Sequence, residues 1–313
     1  MTNNLKNKKI ALVTGAAGFL GRHCSKQLSL AGYYVIGLDI NEFKDHANWT
    51  IHEFIHGPCS LETLVKIFEG KSELSLILHC AGTGSVSASF SGPLSDFQSN
   101  VVSTAELLEF CRLYKPDVPI AIPSSAAVYG DVNSTPLSEN SHLNPISPYG
   151  FHKKMMEEIA FSFSKNFGLK IAIVRFFSIY GEGLRKQIIW DACQKAQRGQ
   201  YHFSGTGYEI RDFIHVTDAA RLLELAATKA SSDFTIINGG SGQGVSIREV
   251  LTMIQLLWRK NLDLQFDNRV RPGDPAEYVA DTTLLKIWGF SFSKDLQKEI
   301  ENYIEWFLKN EKP

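Results

Sequence analysis

Ile10-Ala11-Leu12-Val13-Thr14-Gly15-Ala16-Ala17-Gly18-Phe19-Leu20-Gly21 decides the fold. A short apolar run of strand character enters three glycines spaced three apart, and from Phe19 through Leu30 the apolar positions return at helical spacing. A second apolar run, Tyr34 to Leu38, follows and ends on Asp39. Strand, glycine turn, helix and strand in this order let backbone amides and a positive helix end approach a pyrophosphate, while an acid closing the second strand accepts ribose hydroxyls. No Lys or Arg lies between Asp39 and Phe43 to receive a 2′-phosphate. The expected ligand is therefore NAD rather than NADP, with Gly15, Gly18, Phe19, Leu20, Gly21, Asp39, Ile40 and Asn41 as its contacts here.

The same alternation runs outward from this stretch. Strand patterns at Leu74–Leu78, Ile120–Pro123 and Lys170–Phe176 alternate with helical patterns at Pro93–Leu113 and Pro148–Phe167. Near-continuous apolar strands alternating with helices imply an α/β fold with a doubly wound parallel sheet covered on both faces. Beyond Gly181 the rhythm loosens into glycine-punctuated loops with helices near Ile188–Gln197 and Thr217–Ala230, which reads as a smaller, interwoven substrate domain. The expected division is 1–177 for the nucleotide domain, with 205–240 returning to it in part, and 178–313 for the second. Ser246 and Glu249 have capping-box spacing ahead of a late helix, and another helix begins near Leu296.

Composition agrees with a folded globular chain and excludes several classes. The 313 residues are 44% hydrophobic and 21% charged, far from a disordered composition. With 32 basic against 33 acidic residues the net charge is -1, which gives no ground for a nucleic-acid or membrane partner. Met1 to Lys9 is polar and basic, and glycines break the apolar run after it, so neither a signal peptide nor a spanning helix is expected. Five cysteines (Cys24, Cys59, Cys80, Cys111, Cys193) without a C-x-x-C pair read as reduced and buried, and the expected location is cytoplasmic.

The chemistry is expected at two further segments. Ser147-Pro148-Tyr149 reads as a helix start, with Ser as cap and Pro at the first position. Lys153 then lies one turn beyond Tyr149 on the same face. A phenol near pKa 10 is a poor base at neutral pH, but an adjacent ammonium and an oxidised nicotinamide favour its ionised form. A drop of about three units corresponds to about 4 kcal/mol of differential stabilisation. The second segment, Pro123-Ser124-Ser125-Ala126-Ala127-Val128-Tyr129-Gly130, follows an apolar strand and puts a hydroxyl at the carboxyl edge of the sheet, where open α/β folds bind ligands.

Together these segments resemble the extended short-chain dehydrogenase/reductase family, in its NAD-dependent nucleotide-sugar epimerase/dehydratase branch of UDP-glucose 4-epimerase type. The resemblance also takes in His79-Cys80-Ala81-Gly82, Asn100-Val101, Arg175-Phe176-Phe177, Tyr180-Gly181, Arg211-Asp212-Phe213-Ile214-His215-Val216, Asn238-Gly239-Gly240-Ser241-Gly242 and Arg271-Pro272-Gly273-Asp274. It implies Tyr149 as acid/base, Lys153 as its partner and ribose contact, and Ser125 as donor to the reacting sugar oxygen. It adds Ala81, Gly82, Phe176, Tyr149 and Lys153 as cofactor contacts. For the substrate it implies Ser85, Ser125, Ser178, Gln187, Arg211, Arg271 and Tyr278, with the two arginines clamping a diphosphate or ribose. Arg211 and Arg271 read alternatively as surface arginines paired with Asp212 and Asp274. A homodimer built on the two long helices is the expected assembly. The chain departs from the branch's pattern at Ser178, where Asn is usual, at Pro58, where Asp often follows the glycine, and at Gly82, where alanine is usual.

Ala126 and Ala127 select among reactions, because dehydratases of the branch carry an Asp-Glu pair there and other subgroups carry a carboxylate or a Cys. Two alanines leave chemistry at one carbinol. The leading expectation is C4 epimerisation of a nucleotide-diphosphate hexose through a 4-keto sugar. The alternatives are a 4-keto-sugar-nucleotide reductase using NAD(P)H and a non-catalytic cofactor-binding regulator. Tyr278 implies a hexose without an N-acetyl group. His52-Glu53-Phe54-Ile55-His56 has the form of a zinc-protease motif, yet it reads as a strand, where residues four apart are separated by about 13 Å and cannot share one metal. No metal is expected. His79 and the tryptophans Trp190, Trp258, Trp288 and Trp306 read as packing residues.

Overall fold

The computed structural model describes residues 9–70, 74–131, 135–258, 263–269 and 275–311. The chain forms two compact units from interleaved segments. One is built from Met1–Val128, Ser147–Arg175 and Ala220–Ile237, the other from Tyr129–Ile146, Phe176–Ala219 and Asn238–Pro313.

In the first unit, β1 (Ile10–Thr14), β2 (Tyr34–Asp39), β3 (Glu53–His56), β4 (Leu74–His79), β5 (Ile120–Ser125), β6 (Ile171–Phe176) and β10 (Thr235–Gly239) form a seven-stranded sheet. Their order is β10-β6-β5-β4-β1-β2-β3. β1 runs parallel to β2 and β4, β2 to β3, and β4 to β5. All five residues of β1 are buried, as its unbroken apolar run requires. The order reverses between β1 and β4, whose carboxyl ends meet at Thr14 and His79. That reversal opens the crevice in which doubly wound sheets bind ligands.

The flanking helices are α1 (Phe19–Leu30), α2 (Leu61–Phe68), α3 (Val86–Ser91), α4 (Pro93–Phe97), α5 (Ser103–Tyr114) and α6 (Pro148–Phe167), with most of α8 (Val216–Thr228). Leu64, Leu107, Phe110, Met156 and Ala160 from these helices pack on Leu12, Ile36, Ile77, Ile120 and Ile173 of the strands. The helix expected over 93–113 runs without a gap, but a π turn at Gln98–Val102 lies within it between α4 and α5. Ser99, Asn100, Ser103 and Thr104 each donate a side-chain hydrogen bond to the carbonyl four residues back, competing with the regular ladder.

The second unit is built on short strands that the sequence pattern did not announce. β9 (Ile210–His215) is flanked by β11 (Gly244–Ser246) and β13 (Glu277–Tyr278) and also pairs with β7 (Ser178–Tyr180). β8 (His202–Phe203) and β12 (Gln265–Phe266) form a two-stranded ribbon. The helices are α7 (Gln187–Gln197), α9 (Ile247–Leu257), α10 (Thr283–Ile287) and α11 (Leu296–Asn310). Its core gathers Tyr180, Cys193, Phe213, Leu251, Ile300, Tyr303 and Phe307, with Trp190, Trp258 and Trp306 packed against them. Ser246 and Glu249 form the expected capping box on α9.

Tyr129–Ile146, which chain continuity assigned to the nucleotide domain, belongs to this second unit. The Tyr129 hydroxyl donates to Asn238 Oδ1 at 2.6 Å, Asn238 Nδ2 donates to the Leu137 carbonyl, and Leu137 N donates to the Val279 carbonyl. All five cysteines are free thiols, but Cys59 and Cys80 are half-buried rather than buried, because they lie in loops just past β3 and β4. No helix among the described residues is long and apolar enough to cross a membrane.

Candidate active site

The turn between β1 and α1 fits a dinucleotide. Gly15 adopts φ +66, and a Cβ there would lie 2.5 Å from the backbone of Cys80 and 2.6 Å from Ala81 N, so only glycine lets the turn pass the end of β4. Gly18 caps α1 with no side-chain acceptor, and the first turn of α1 carries no acid. The positive end of a 12-residue helix is therefore left for an anion. Phe19 and Leu20 open that helix, half-buried, and Gly21 is buried beneath the turn. Asp39 closes β2; it accepts from Ala17 N at 2.9 Å and from Asn41 N at 2.8 Å. Those bonds fix its carboxylate at the mouth of the turn. Beside it Ile40 leaves 65% of its surface exposed, an apolar face suited to a base.

Across the crevice, the Ala81 amide donates to Thr14 Oγ1. His79 bridges Thr14 and Thr104 at 2.8 and 3.1 Å, and burial depresses its pKa to about 3, so it is a neutral tie between β4, β1 and α5. Gly82 has φ +141, and a Cβ there would stand 2.7 Å from Asn100 Oδ1. The alanine usual in the resembled branch would be strained at this position. Among the described residues no hydrogen-bond donor reaches the buried Asn100 Oδ1.

Tyr149 and Lys153 lie where the helix pattern puts them. Ser147 Oγ accepts from Gly150 N and Pro148 takes the first position of α6, so Tyr149 enters in the first turn and Lys153 follows one turn later. Both are buried, at 8% and 5% exposed. Ser125 ends β5 and accepts from Ala127 N. The Lys153 ammonium donates to the Pro123 carbonyl at 3.0 Å and sits 5.9 Å from the Tyr149 ring centre.

Burial dominates the charge balance of the pair. Burial pushes the Tyr149 phenol up to about 12, opposed by a hydrogen bond with Ser125 and reinforced by the Asp96 carboxylate. Burial draws Lys153 down to about 8, with Asp96 and Glu157 acting the other way. For both groups burial is the largest cause of the shift, disfavouring the charged form of each.

Sequence reasoning missed the polar groups behind this pair. Glu157, one turn past Lys153, accepts from Ser124 Oγ and from both Nε and Nη2 of Arg175, whose side chain is 2% exposed. Helical spacing of 149, 153 and 157 is a signal that would have found it. Ser89 Oγ accepts from Tyr149 N. Asp96 accepts from Thr83 Oγ1 and is paired with His152 Nδ1 at 2.6 Å. Nothing in the linear pattern links positions 83, 96 and 152.

Among the substrate candidates, Ser85 lies in the first unit, capping α3 by accepting from Ala88 N. In the second unit Arg211 and Tyr278 are register partners on β9 and β13, and Ser178 starts β7, which pairs with β9 on Phe213. Tyr278 donates its hydroxyl to the Gly130 carbonyl and sets its ring edge-on to Phe177. Asp212 is buried and accepts from the Ser241, Gly242 and Ala280 amides, and Arg211 Nη1 donates to the Ile210 carbonyl. Gln187 is exposed at φ +69, a left-handed conformation uncommon for a side-chain-bearing residue. Phe176 is buried at the end of β6. Arg271, with Pro272 to Asp274, lies outside the described residues. Of the zinc-like motif, Glu53–His56 is strand β3; the His52 ring accepts from Val35 N and the His56 ring lies 2.9 Å from the Ile40 carbonyl.

The chain matches the NAD dependent epimerase/dehydratase family over residues 11–240 and belongs to that family. It is 29% identical over 306 residues to a putative UDP-glucose 4-epimerase of Methanocaldococcus jannaschii, covering 96% of this chain and 98% of that one. It is likewise 29% identical to a UDP-glucose 4-epimerase of Azospirillum brasilense, covering 90% of this chain and 86% of that protein. Among solved structures it resembles MoeE5 in complex with UDP-glucose and NAD, at TM-score 0.84 and 29% identity over 96% of this chain and 99% of that one. It also resembles the UDP-glucose 4-epimerase of Thermotoga maritima with UDP-glucose, at TM-score 0.87 and 26% identity over 96% and 98% of the two chains.

Proposed function

We propose that this protein is an NAD-dependent epimerase that inverts a nucleotide-diphosphate hexose at C4 through a 4-keto sugar, of the UDP-glucose/UDP-galactose type. The observation that carries this reading is the set of half-buried Ser125 with buried Tyr149 and Lys153, in the same unit as the open glycine turn, with Ala126 and Ala127 in place of any second acid/base couple. When bound, NAD would supply a hydride acceptor and donor for C4. Gly15, Gly18, Phe19, Leu20, Gly21, Asp39, Ile40, Asn41, Ala81, Gly82 and Phe176 are the residues that would hold it, and Lys153 its nicotinamide ribose. Tyr149 Oη takes the proton of the 4-hydroxyl and later returns it, while the Ser125 hydroxyl holds the same oxygen. A buried site favours this exchange, because the proton taken from the sugar is kept for its return.

Ser85, Ser178, Gln187, Arg211, Arg271 and Tyr278 are assigned to the nucleotide sugar, with Arg211 toward the diphosphate. Tyr278, beside Arg211 in register, is assigned to restricting the sugar, giving preference to hexoses without an N-acetyl group; equal turnover of both kinds would contradict that. The assembly is assigned as a homodimer in the cytoplasm. Val102 and Leu113 near the two ends of α5, with Phe151 and Met155 on α6, are exposed apolar residues that a helix-to-helix seam would cover.

Mass spectrometry of nucleotide released from freshly purified protein, followed by a sugar-nucleotide panel without added cofactor, tests the reading. Retained NAD and interconversion of a C4 pair are expected. Empty protein that acts only with added reduced cofactor would make it a 4-keto reductase instead.

A further inference from the structure

Asp96 is a buried carboxylate, 3% exposed, that belongs to neither the cofactor nor the substrate contacts assigned above. Its two oxygens reach in different directions. One accepts from Thr83 Oγ1, next in the chain to Gly82; the other is paired with His152 Nδ1 at 2.6 Å, next in the chain to Lys153. Asn100 Nδ2 secures the same cluster, donating to Thr83 Oγ1 at 2.9 Å and to the Asp96 carbonyl at 3.0 Å. The π turn that follows α4 carries Asn100 into this cluster. His152 is only 12% exposed and is packed edge-on against Phe97. One carboxylate thus ties the loop after β4 to the helix turn that carries Tyr149 and Lys153.

We propose that Asp96 is a positioning residue for the Tyr149–Lys153 pair, joining the Gly82–Thr83 loop to α6 through His152 and setting the charge balance of the pair. The proposal rests on the reading of Tyr149 as the acid/base. Its charge acts on both members in the same sense, raising the phenol's pKa and favouring the protonated lysine. The other titratable or charged groups in this interior are His152 and the Glu157–Arg175 pair, with His79 and Cys80 from the end of β4. Asp96 is tied to both flanking segments, to Thr83 on one side and to His152 on the other.

The test is Asp96→Asn in the NAD-loaded protein, which keeps the shape and an acceptor oxygen but removes the charge. Turnover of UDP-glucose is followed against pH, and the Tyr149 phenolate is read from near-ultraviolet tyrosinate absorbance after subtraction of a Tyr149→Phe protein. Removing a negative charge lowers both pKa values, so both limbs of the pH profile and the tyrosinate titration move to lower pH, by about one unit for a charge several ångströms away in a protein interior. His152→Gln, which keeps a donor for Asp96, is expected to leave the limbs within a few tenths of a unit while raising KM or lowering kcat. If Asp96→Asn loses rate with both limbs and the absorbance titration unmoved, Asp96 is structural only and the proposal fails. If Asp96→Asn does not fold, the neutral Asp96→Ser protein is read in the same way, and an unshifted tyrosinate titration there overturns it. Full turnover by Tyr149→Phe would instead overturn the underlying acid/base assignment, which separates the two failures.

Discussion

Burial moves the pKa values of Tyr149 and Lys153 in opposite directions, and the consequence for the lysine is measurable in stability. The lysine's pKa falls from its usual value to about 8, so the folded protein binds this proton more weakly than the unfolded chain does. Stability therefore rises with pH between about 8 and the ordinary lysine value, and below about 8 the buried ammonium costs about 3 kcal/mol. Lys153→Met is expected to be inactive yet at least as stable as the parent near neutral pH, with its advantage fading as pH climbs through that window; Tm measured against pH checks it. A variant less stable than the parent at every pH would show that the bond to the Pro123 carbonyl outweighs desolvation. Tyr149 and Lys153 were legible in the sequence because a cap, a proline and a four-residue spacing fix a helix face. Asp96 and His152 were not, because their meeting depends on how α4 is laid against α6, a tertiary fact that no local spacing encodes.

At the scale of elements, the β1–turn–α1–β2 segment was readable because its glycines answer a steric demand. Gly15→Ala is expected to lower Tm and the fraction of protein purified with nucleotide, since the added methyl meets the backbone of Cys80 and has no room to rotate away; unchanged nucleotide content would contradict the placement of the cofactor on this turn. On α6, Glu157→Ala takes from the buried Arg175 guanidinium its carboxylate partner, with an expected loss of about 3–5 kcal/mol by denaturant unfolding. The elements that escaped sequence reading have the opposite character. β7, β9, β11 and β13 run two to six residues and gain their identity by pairing with one another, so neither length nor alternation marks them. The π turn escaped for a related reason: side chains at Ser99, Asn100, Ser103 and Thr104 redirect backbone bonds while the apolar spacing still reads as helix.

For the whole molecule, the alternation of strands and helices gave the sheet, but the segment Tyr129–Ile146 crosses to the second unit without any break in composition. What takes it there is a set of specific bonds from Tyr129, Leu137 and Asn238, formed between positions about a hundred residues apart. The assembly makes its own prediction. If a seam covers the exposed faces of α5 and α6, Phe151→Glu combined with Met155→Glu yields a monomer by sedimentation with secondary structure intact, whereas an unchanged sedimentation coefficient would remove these residues from the interface. On the proposed function, one site opens and restores a single carbinol without outside reductant. It is tested most directly by giving purified protein, with no added cofactor, UDP-glucose deuterated at C4 and following the label. Retention of deuterium at C4 of UDP-galactose is the predicted result; loss of the label to solvent, or product formed only when reduced cofactor is added, would contradict the account.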